Sequence, residues 1–217
     1  MTMLAGQACA HGALMDAIYR RQVRIYDITR KYYLFGRDRL IRGLDAAPGA
    51  RVLELGCGTG RNLAMIARRW PGMRLFGIDI SREMLGSAQA RLGDGARLAL
   101  ADASAFDAAA LFGTARFDRI VISFALSMIP PWQQTVAHAA TLLAPGGSLH
   151  IVDFHDAAGL PGPLRRLLHA WLTRFHVTPR TELAKLAQDI ATQQGLSCQT
   201  HTGAFGYYRL IVLTRSR

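Results

Sequence analysis

The 217-residue chain carries 26 Lys and Arg against 15 Asp and Glu, a formal net charge of +11, and half of its residues are apolar. That length admits one domain with a full core and excludes two large ones, while the charge favours anionic partners: nucleic acid, an acidic membrane surface or phosphorylated substrates. Three cysteines at unrelated spacings (Cys9, Cys57, Cys198) give neither a disulfide framework nor a zinc pattern, and the seven histidines also lack metal-ligand spacing, so no metal is expected.

The opening MTMLAGQACAHGAL has no basic n-region and no sustained apolar run, so no signal peptide is expected. From Leu14 to Leu44 apolar residues recur at a period near 3.6, which predicts a helical front segment that Gly36 breaks in two. After the turn Asp45-Ala-Ala-Pro-Gly49, strands and helices alternate. Strands are expected at Arg51 to Leu55, Arg74 to Asp79, Arg97 to Ala101, Phe117 to Ser123 and Ser148 to Asp153. Helices are expected at Asn62 to Arg69, Ser81 to Leu92, Asp107 to Leu111 and Gln133 to Leu142. This alternation predicts a doubly wound, mostly parallel α/β sheet with helices on both faces and ligands at the strand carboxyl ends. The apolar run Ile120 to Ile129 is too short to cross a bilayer, so any membrane contact must be peripheral.

Beyond Gly159-Leu-Pro-Gly-Pro163 the pattern changes. A basic amphipathic helix, Leu164 to Phe175, is followed by a helix from Thr181 to Gln194 and two strands, Ser197 to Thr202 and Tyr207 to Thr214. The last two predict a terminal antiparallel hairpin. The expected division is a helical lid over residues 1–46 and an α/β domain over 47–217.

The chemistry concentrates in Val52-Leu-Glu-Leu-Gly-Cys-Gly-Thr-Gly60, a strand running into a glycine-rich turn that opens a helix. Glycines serve where φ is positive or a ligand must approach bare backbone. The spacing is G-x-G-x-G rather than the G-x-G-x-x-G of dinucleotide sites, which disfavours a pyrophosphate cradle; a tight turn without a ligand is the plain alternative. About twenty residues on, Asp79 ends the second strand, where a carboxylate can accept both hydrogen bonds of a ribose diol, and Ser81 suits a helix N-cap. Asp102 ends the third strand; an ordinary turn aspartate is the alternative there.

Glu54 to Gly60 resembles the E-x-G-x-G-x-G motif of class I S-adenosylmethionine-dependent methyltransferases. The resemblance implies a seven-stranded Rossmann-like methyltransferase fold with S-adenosyl-L-methionine as cofactor. It implies that Glu54, Gly56, Cys57, Gly58 and Gly60 pass under the methionine portion, with Ile80 and Met84 flanking the adenine. Asp102 and the Ala103 amide would meet the adenine, and Ser123 would stand where the fourth strand exits toward the methyl group. The exit reads Ser123-Phe-Ala-Leu126, without the Asn/Asp-Pro-Pro-aromatic run of amine-methylating nucleic-acid enzymes, and no cysteine nucleophile lies in this loop or the next. Nucleic acid is therefore not expected as substrate. Leu143-Ala-Pro-Gly-Gly-Ser-Leu149 resembles the family's turn before the fifth strand.

In the front segment Tyr19, Tyr26 and Tyr33 recur every seven residues, with Arg30 one turn from the latter two and Arg37 extending the row if the helix continues. Tyrosine faces attract quaternary ammonium groups and arginine forks grip carboxylate or phosphate; packing of an ordinary amphipathic helix is the alternative. The string Met15 to Ile41, and Ser123-Phe-Ala-Leu-Ser-Met-Ile-Pro-Pro-Trp132, resemble the N-methyltransferases of bacterial betaine-lipid synthesis. That resemblance implies trimethylation of the homoserine amine of diacylglyceryl-homoserine, with the tyrosines around the nitrogen and Arg30 or Arg37 on the carboxylate. It also implies functional coupling to the enzyme making that lipid, and a cytoplasmic protein peripheral to the inner face of an anionic membrane. Arg165, Arg166 and Arg174 flank an apolar face suited to such a surface. His155, two residues past the fifth strand, is the first general-base candidate, Asp153 the second, and His138 is expected to be structural. Other small-molecule methyltransferases, acting on quinone precursors or amino acid derivatives, share every cofactor motif. An RNA-binding protein or RNA methyltransferase is favoured by charge alone.

Overall fold

The computed structural model describes residues 36–174 and 177–217. Seven strands form one sheet in the order β3-β2-β1-β4-β5-β7-β6. They are β1 (Arg51–Leu55), β2 (Arg74–Asp79), β3 (Ala96–Leu100), β4 (Phe117–Ser123), β5 (Leu143–Phe154), β6 (Leu196–Thr202) and β7 (Tyr208–Arg215). The first five run parallel, and β7 lies antiparallel between β5 and β6. Strand order reverses between β1 and β4, the place where open α/β sheets leave a crevice for ligands.

The strands are apolar on both sides because helices cover both sides. On one face Leu53, Leu55, Ile120, Ile122, Leu149 and Ile151 meet α5 (Trp132–Thr141) and α7 (Leu183–Gln194) through Trp132, Val136, Leu183 and Ile190. On the other, Val52, Leu75, Val121 and Val152 meet α1 (Arg37–Arg42) and α2 (Arg61–Arg69) through Leu40, Ile41, Leu63 and Ile66. Phe76 sits edge-on to Phe112 and Phe117, at 5.2 and 5.4 Å between centroids, closing the first layer beside α4 (Ala108–Phe112). Helix α3 (Arg82–Leu92) opens with Ser81 as N-cap, its Oγ accepting from the Met84 amide at 3.3 Å, as its position before the helical run predicts.

Most boundaries differ from expectation by one or two residues, and two of the departures have a clear physical cause. Strand β5 begins at Leu143, not Ser148, because Leu143 pairs with Phe117 and the Pro-Gly-Gly stretch is absorbed as a register shift between Phe117 and Arg119 rather than a separate turn. Helix α6 spans Gly162–Arg174, starting earlier than the Leu164 its apolar spacing indicated, since Pro163 is tolerated in a first helical turn. Of the expected lid only residues from Gly36 onward are described, and α1 starts where Gly36 was expected to break the helix.

Candidate functional site

The Gly-rich turn rises from β1 at the crevice. Gly56 passes the loop after β4 so closely that a Cβ would stand 2.9 Å from that of Ala125. Gly58 and Gly60 both have positive φ, 53° and 71°, for different reasons. A Cβ on Gly60 would run into Leu92 at 2.7 Å and Ala88 at 3.1 Å, so this glycine lets α3 approach. A Cβ on Gly58 would meet nothing within 4 Å, so this glycine faces open room, as a turn that accepts a ligand against its backbone requires. Cys57 turns inward: its side chain is buried and Sγ lies 3.0 Å from where a Gly77 Cβ would be, so only its backbone borders the turn.

Side-chain alternation sorts the candidates by face. Glu54 shares a face with Val52, Asp79 with Leu75, and Ser123 with Val121, all under α1 and α2. Glu54 is fully buried. Asn62, from the first turn of α2, donates Nδ2–H to its Oε1 at 2.6 Å, while Oε2 has no hydrogen-bond partner among the described residues. Burial pushes the Glu54 carboxyl up to about 8; the charge of Asp79 adds to the rise, and the Asn62 bond, the charge of Arg37 and the Leu63 backbone amide oppose it. Asp79 receives the Gly58 amide on Oδ2 at 2.8 Å and the Ser81 amide on Oδ1 at 3.0 Å, which ties the Gly-rich turn to the start of α3. Asp102 uses Oδ1 for the amide and hydroxyl of Ser104, at 2.8 and 2.7 Å, beside buried Ala103. Ile80 is half-buried at the exit of β2, and Met84, in the first turn of α3, is 2% exposed. Ser123 is buried, with its Oγ unpartnered among the described residues.

Arg37 is buried and its charge acts on Glu54, so the structure places it with the turn of β1. Tyr19, Tyr26, Arg30 and Tyr33 lie outside the described residues.

Asp153 and His155 are on the opposite face, in line with Leu149 and Ile151. Asp153 is fully buried and accepts the Ser127 amide on Oδ2 at 3.1 Å and the Phe154 amide on Oδ1 at 2.8 Å; burial pushes it up to about 6. It therefore holds the loop after β4. His155 Nε2 lies 2.5 Å from Arg209 Nη2. A guanidinium only donates, so Nε2 accepts and the ring proton of the neutral imidazole is on buried Nδ1, which has no partner among the described residues. Burial, then the charge of Arg209, lowers the His155 pKa. The lone pair that a general base needs is the one Arg209 occupies. His138 is structural as expected: Nε2 lies 3.1 Å from the Phe106 carbonyl oxygen, with the ring edge-on to Phe106.

Two participants escape sequence reasoning. Asn62, the Glu54 partner, is signalled only by a polar side chain at the start of an otherwise apolar helix face. Arg180 gives no local signal at all. It donates to the carbonyls of Leu126 and Ile129 at 3.0 and 3.2 Å and stands 5.7 Å over the Trp132 ring, clamping the loop after β4 from outside while Asp153 holds it from beneath.

Residues 52–147 match the family described as "Methyltransferase domain". A phosphatidylethanolamine N-methyltransferase of Cereibacter sphaeroides is 35% identical over 167 residues, covering 76% of this chain and 79% of that protein. A trans-aconitate 2-methyltransferase of Streptomyces avermitilis is 35% identical over 119 residues, 55% of this chain, and the match spans only 43% of that longer relative. Among solved structures, the plantazolicin methyltransferase BamL, in complex with a triazolic desmethylPZN analog and SAH, superposes with a TM-score of 0.73 over 100% of this chain and 99% of its own, at 15% identity. The chain belongs to the class I S-adenosylmethionine-dependent methyltransferases.

The residues fit that cofactor. A buried carboxyl oxygen with no partner among the described residues, Glu54 Oε2, suits the cationic ammonium of a methionine moiety. Among the described residues nothing crowds Gly58, which suits close backbone approach, and the carboxylates of Asp79 and Asp102 stand at the next two strand ends.

Proposed function

We propose that the chain is an N-methyltransferase of an aminolipid headgroup, converting diacylglyceryl-homoserine to diacylglyceryl-trimethylhomoserine. The observation that carries an aminolipid acceptor is the 35% identity to a phosphatidylethanolamine N-methyltransferase across 79% of that protein. The homoserine lipid is favoured over other acceptors by the resemblance of Met15 to Ile41 and Ser123 to Trp132. When bound, S-adenosylmethionine supplies a methyl group on a sulfonium, open to in-line displacement by an unprotonated amine.

The protein's own part is placement and exclusion of water. Glu54 with Asn62 holds the ammonium end of the cofactor, the bare backbone of Gly58 admits it, and Asp79 and Asp102 fix ribose and adenine. The loop after β4, held by Asp153 and Arg180, borders the acceptor. An amine needs to be held unprotonated rather than activated by a strong base, which agrees with a His155 whose lone pair is engaged. Tyr19, Tyr26, Tyr33 and Arg30 are assigned to the acceptor's nitrogen and anionic group. Arg37 is buried and its charge acts on Glu54, which favours a place toward the cofactor end over one on the homoserine carboxylate.

The same relative favours a second reading, with phosphatidylethanolamine as acceptor, since both lipids present a primary amine beside an anion. The test is methylation of vesicles containing one lipid or the other, read by mass spectrometry. Three added methyls on diacylglyceryl-homoserine support the first reading. Methylation of phosphatidylethanolamine alone supports the second. No mass shift on either, from protein that binds the cofactor, overturns both.

A further inference from the structure

Helix α6 leaves the body of the protein. Every residue from Gly162 to Leu167 is exposed, with Leu164 50% and Leu167 66% exposed, and only the second half returns, through half-buried Leu168 and Trp171 and buried Leu172. His169 anchors it there, its Nε2 3.2 Å from the Asp156 carbonyl oxygen. The same loop carries a second apolar projection. The amides of Ala157 and Gly159 bond to the carbonyls of Gly206 and Phe205 at 2.9 and 3.0 Å, and between them they fix the turn in which Phe205 is held 64% exposed. Its φ is +56°, a conformation that bulky side chains rarely adopt. Two leucines and a phenylalanine are thus presented to solvent by elements hydrogen-bonded to one loop.

Charge surrounds them on one side of the ledger only. Residues 157–181 contain no Asp or Glu, and neither do residues 190–217, while Arg165, Arg166 and Arg174 lie on α6 and Arg209 follows the turn. Asp156, part-exposed, and Glu182, exposed, are the acidic residues that bound the first of these stretches. Because β1, β4 and β5 are parallel, the loop after Phe154 and the turn before Tyr208 stand at the sheet edge where the Gly-rich turn also opens.

We infer that the first two turns of α6 and the Phe205 turn form a docking surface for an anionic lipid bilayer, with the leucines and Phe205 entering the headgroup boundary and the arginines meeting lipid phosphates. The inference rests on the lipid-acceptor reading for its purpose: it brings the crevice edge to the surface where a headgroup can enter without its chains leaving the membrane. The apolar residues supply what charge alone cannot, since exposed charges are screened within about 8 Å at physiological salt.

The test is co-sedimentation of the full chain with vesicles that contain no amine acceptor: phosphatidylcholine alone, or with phosphatidylglycerol. Binding is expected to the anionic vesicles and to be weakened about tenfold by Leu164→Gln with Leu167→Gln, which keeps helix propensity, and by Phe205→Gly, which suits the positive φ. Each arginine neutralised should cost about fivefold. Melting temperatures should hold, and methylation of detergent-dispersed lipid should match that of the parent chain. Equal binding to neutral vesicles, no binding, or binding indifferent to these variants would overturn the inference. So would a change in self-association or RNA binding in place of the vesicle effect. A wrong acceptor lipid would leave this result intact, because no acceptor is present in the assay.

Discussion

Glu54 combines full burial, one short hydrogen bond from Asn62 and an oxygen with no partner among the described residues. With its pKa raised from 4.5 to about 8, it is protonated in the folded protein near neutrality and ionised when unfolded. The folded chain thus binds the extra proton between those values, and the stability that Glu54 contributes falls as pH rises through the window. A cationic group at Oε2 favours the carboxylate, so cofactor binding should release a proton. Affinity should climb with pH up to about 8 and then level, measurable by calorimetry in buffers of different ionisation enthalpy. Glu54→Gln keeps the Asn62 contact, and it should abolish the proton release and weaken cofactor binding about tenfold to a hundredfold at pH 8. At His155 the expectation is a lack of effect: His155→Gln offers an acceptor to Arg209, and the acidic limb of the pH-rate profile should stay where it is. Loss of that limb would restore His155 as the base.

The Gly-rich turn and the loop after β4 divide the work at the next scale up. Gly58→Ala and Gly60→Ala share the strain of positive φ, about 1 kcal/mol, but only Gly60 has neighbours in the way. Gly60→Ala should therefore lower the melting temperature more, and Gly58→Ala should cost more cofactor affinity for a smaller change in melting. Arg180→Gln removes the clamp on the Leu126 and Ile129 carbonyls, so turnover should fall while cofactor affinity is retained. Much of the turn was legible in the sequence because its demands are local: glycine at fixed offsets, an acid at a strand end, a serine before a helix. Arg180 was not, because its partners are carbonyls some fifty residues away that any sequence provides. Arg37 shows the same limit. Its spacing puts it in a row with Tyr26 and Arg30, whereas packing of α1 on the sheet buries it where its charge acts on Glu54.

For the whole molecule the parallel sheet and its terminal hairpin follow from alternation and are found as expected. What alternation leaves open is which face each polar residue takes. By strand position Asp153 and His155 look alike, yet parity sets Asp153 in line with Leu149 and Ile151, where it holds the loop after β4, while His155 lies past the strand end against Arg209.

The antiparallel seating of β7 also bears on how the molecule is made. β5 acquires its second neighbour only when Tyr208 to Thr214 arrive, pairing from Phe154↔Tyr208 to Ser148↔Thr214, and β6, though earlier in the chain, reaches the sheet only through β7. Five parallel strands thus wait with a long apolar edge open during synthesis, a state prone to pairing with other chains. Chains stopped before Tyr208 should aggregate or be captured by chaperones, while stopping after Arg215 should give folded, cofactor-binding protein, checked by solubility and protease resistance of stalled nascent chains. Residues through Arg215 must therefore be available before the open edge of β5 is closed.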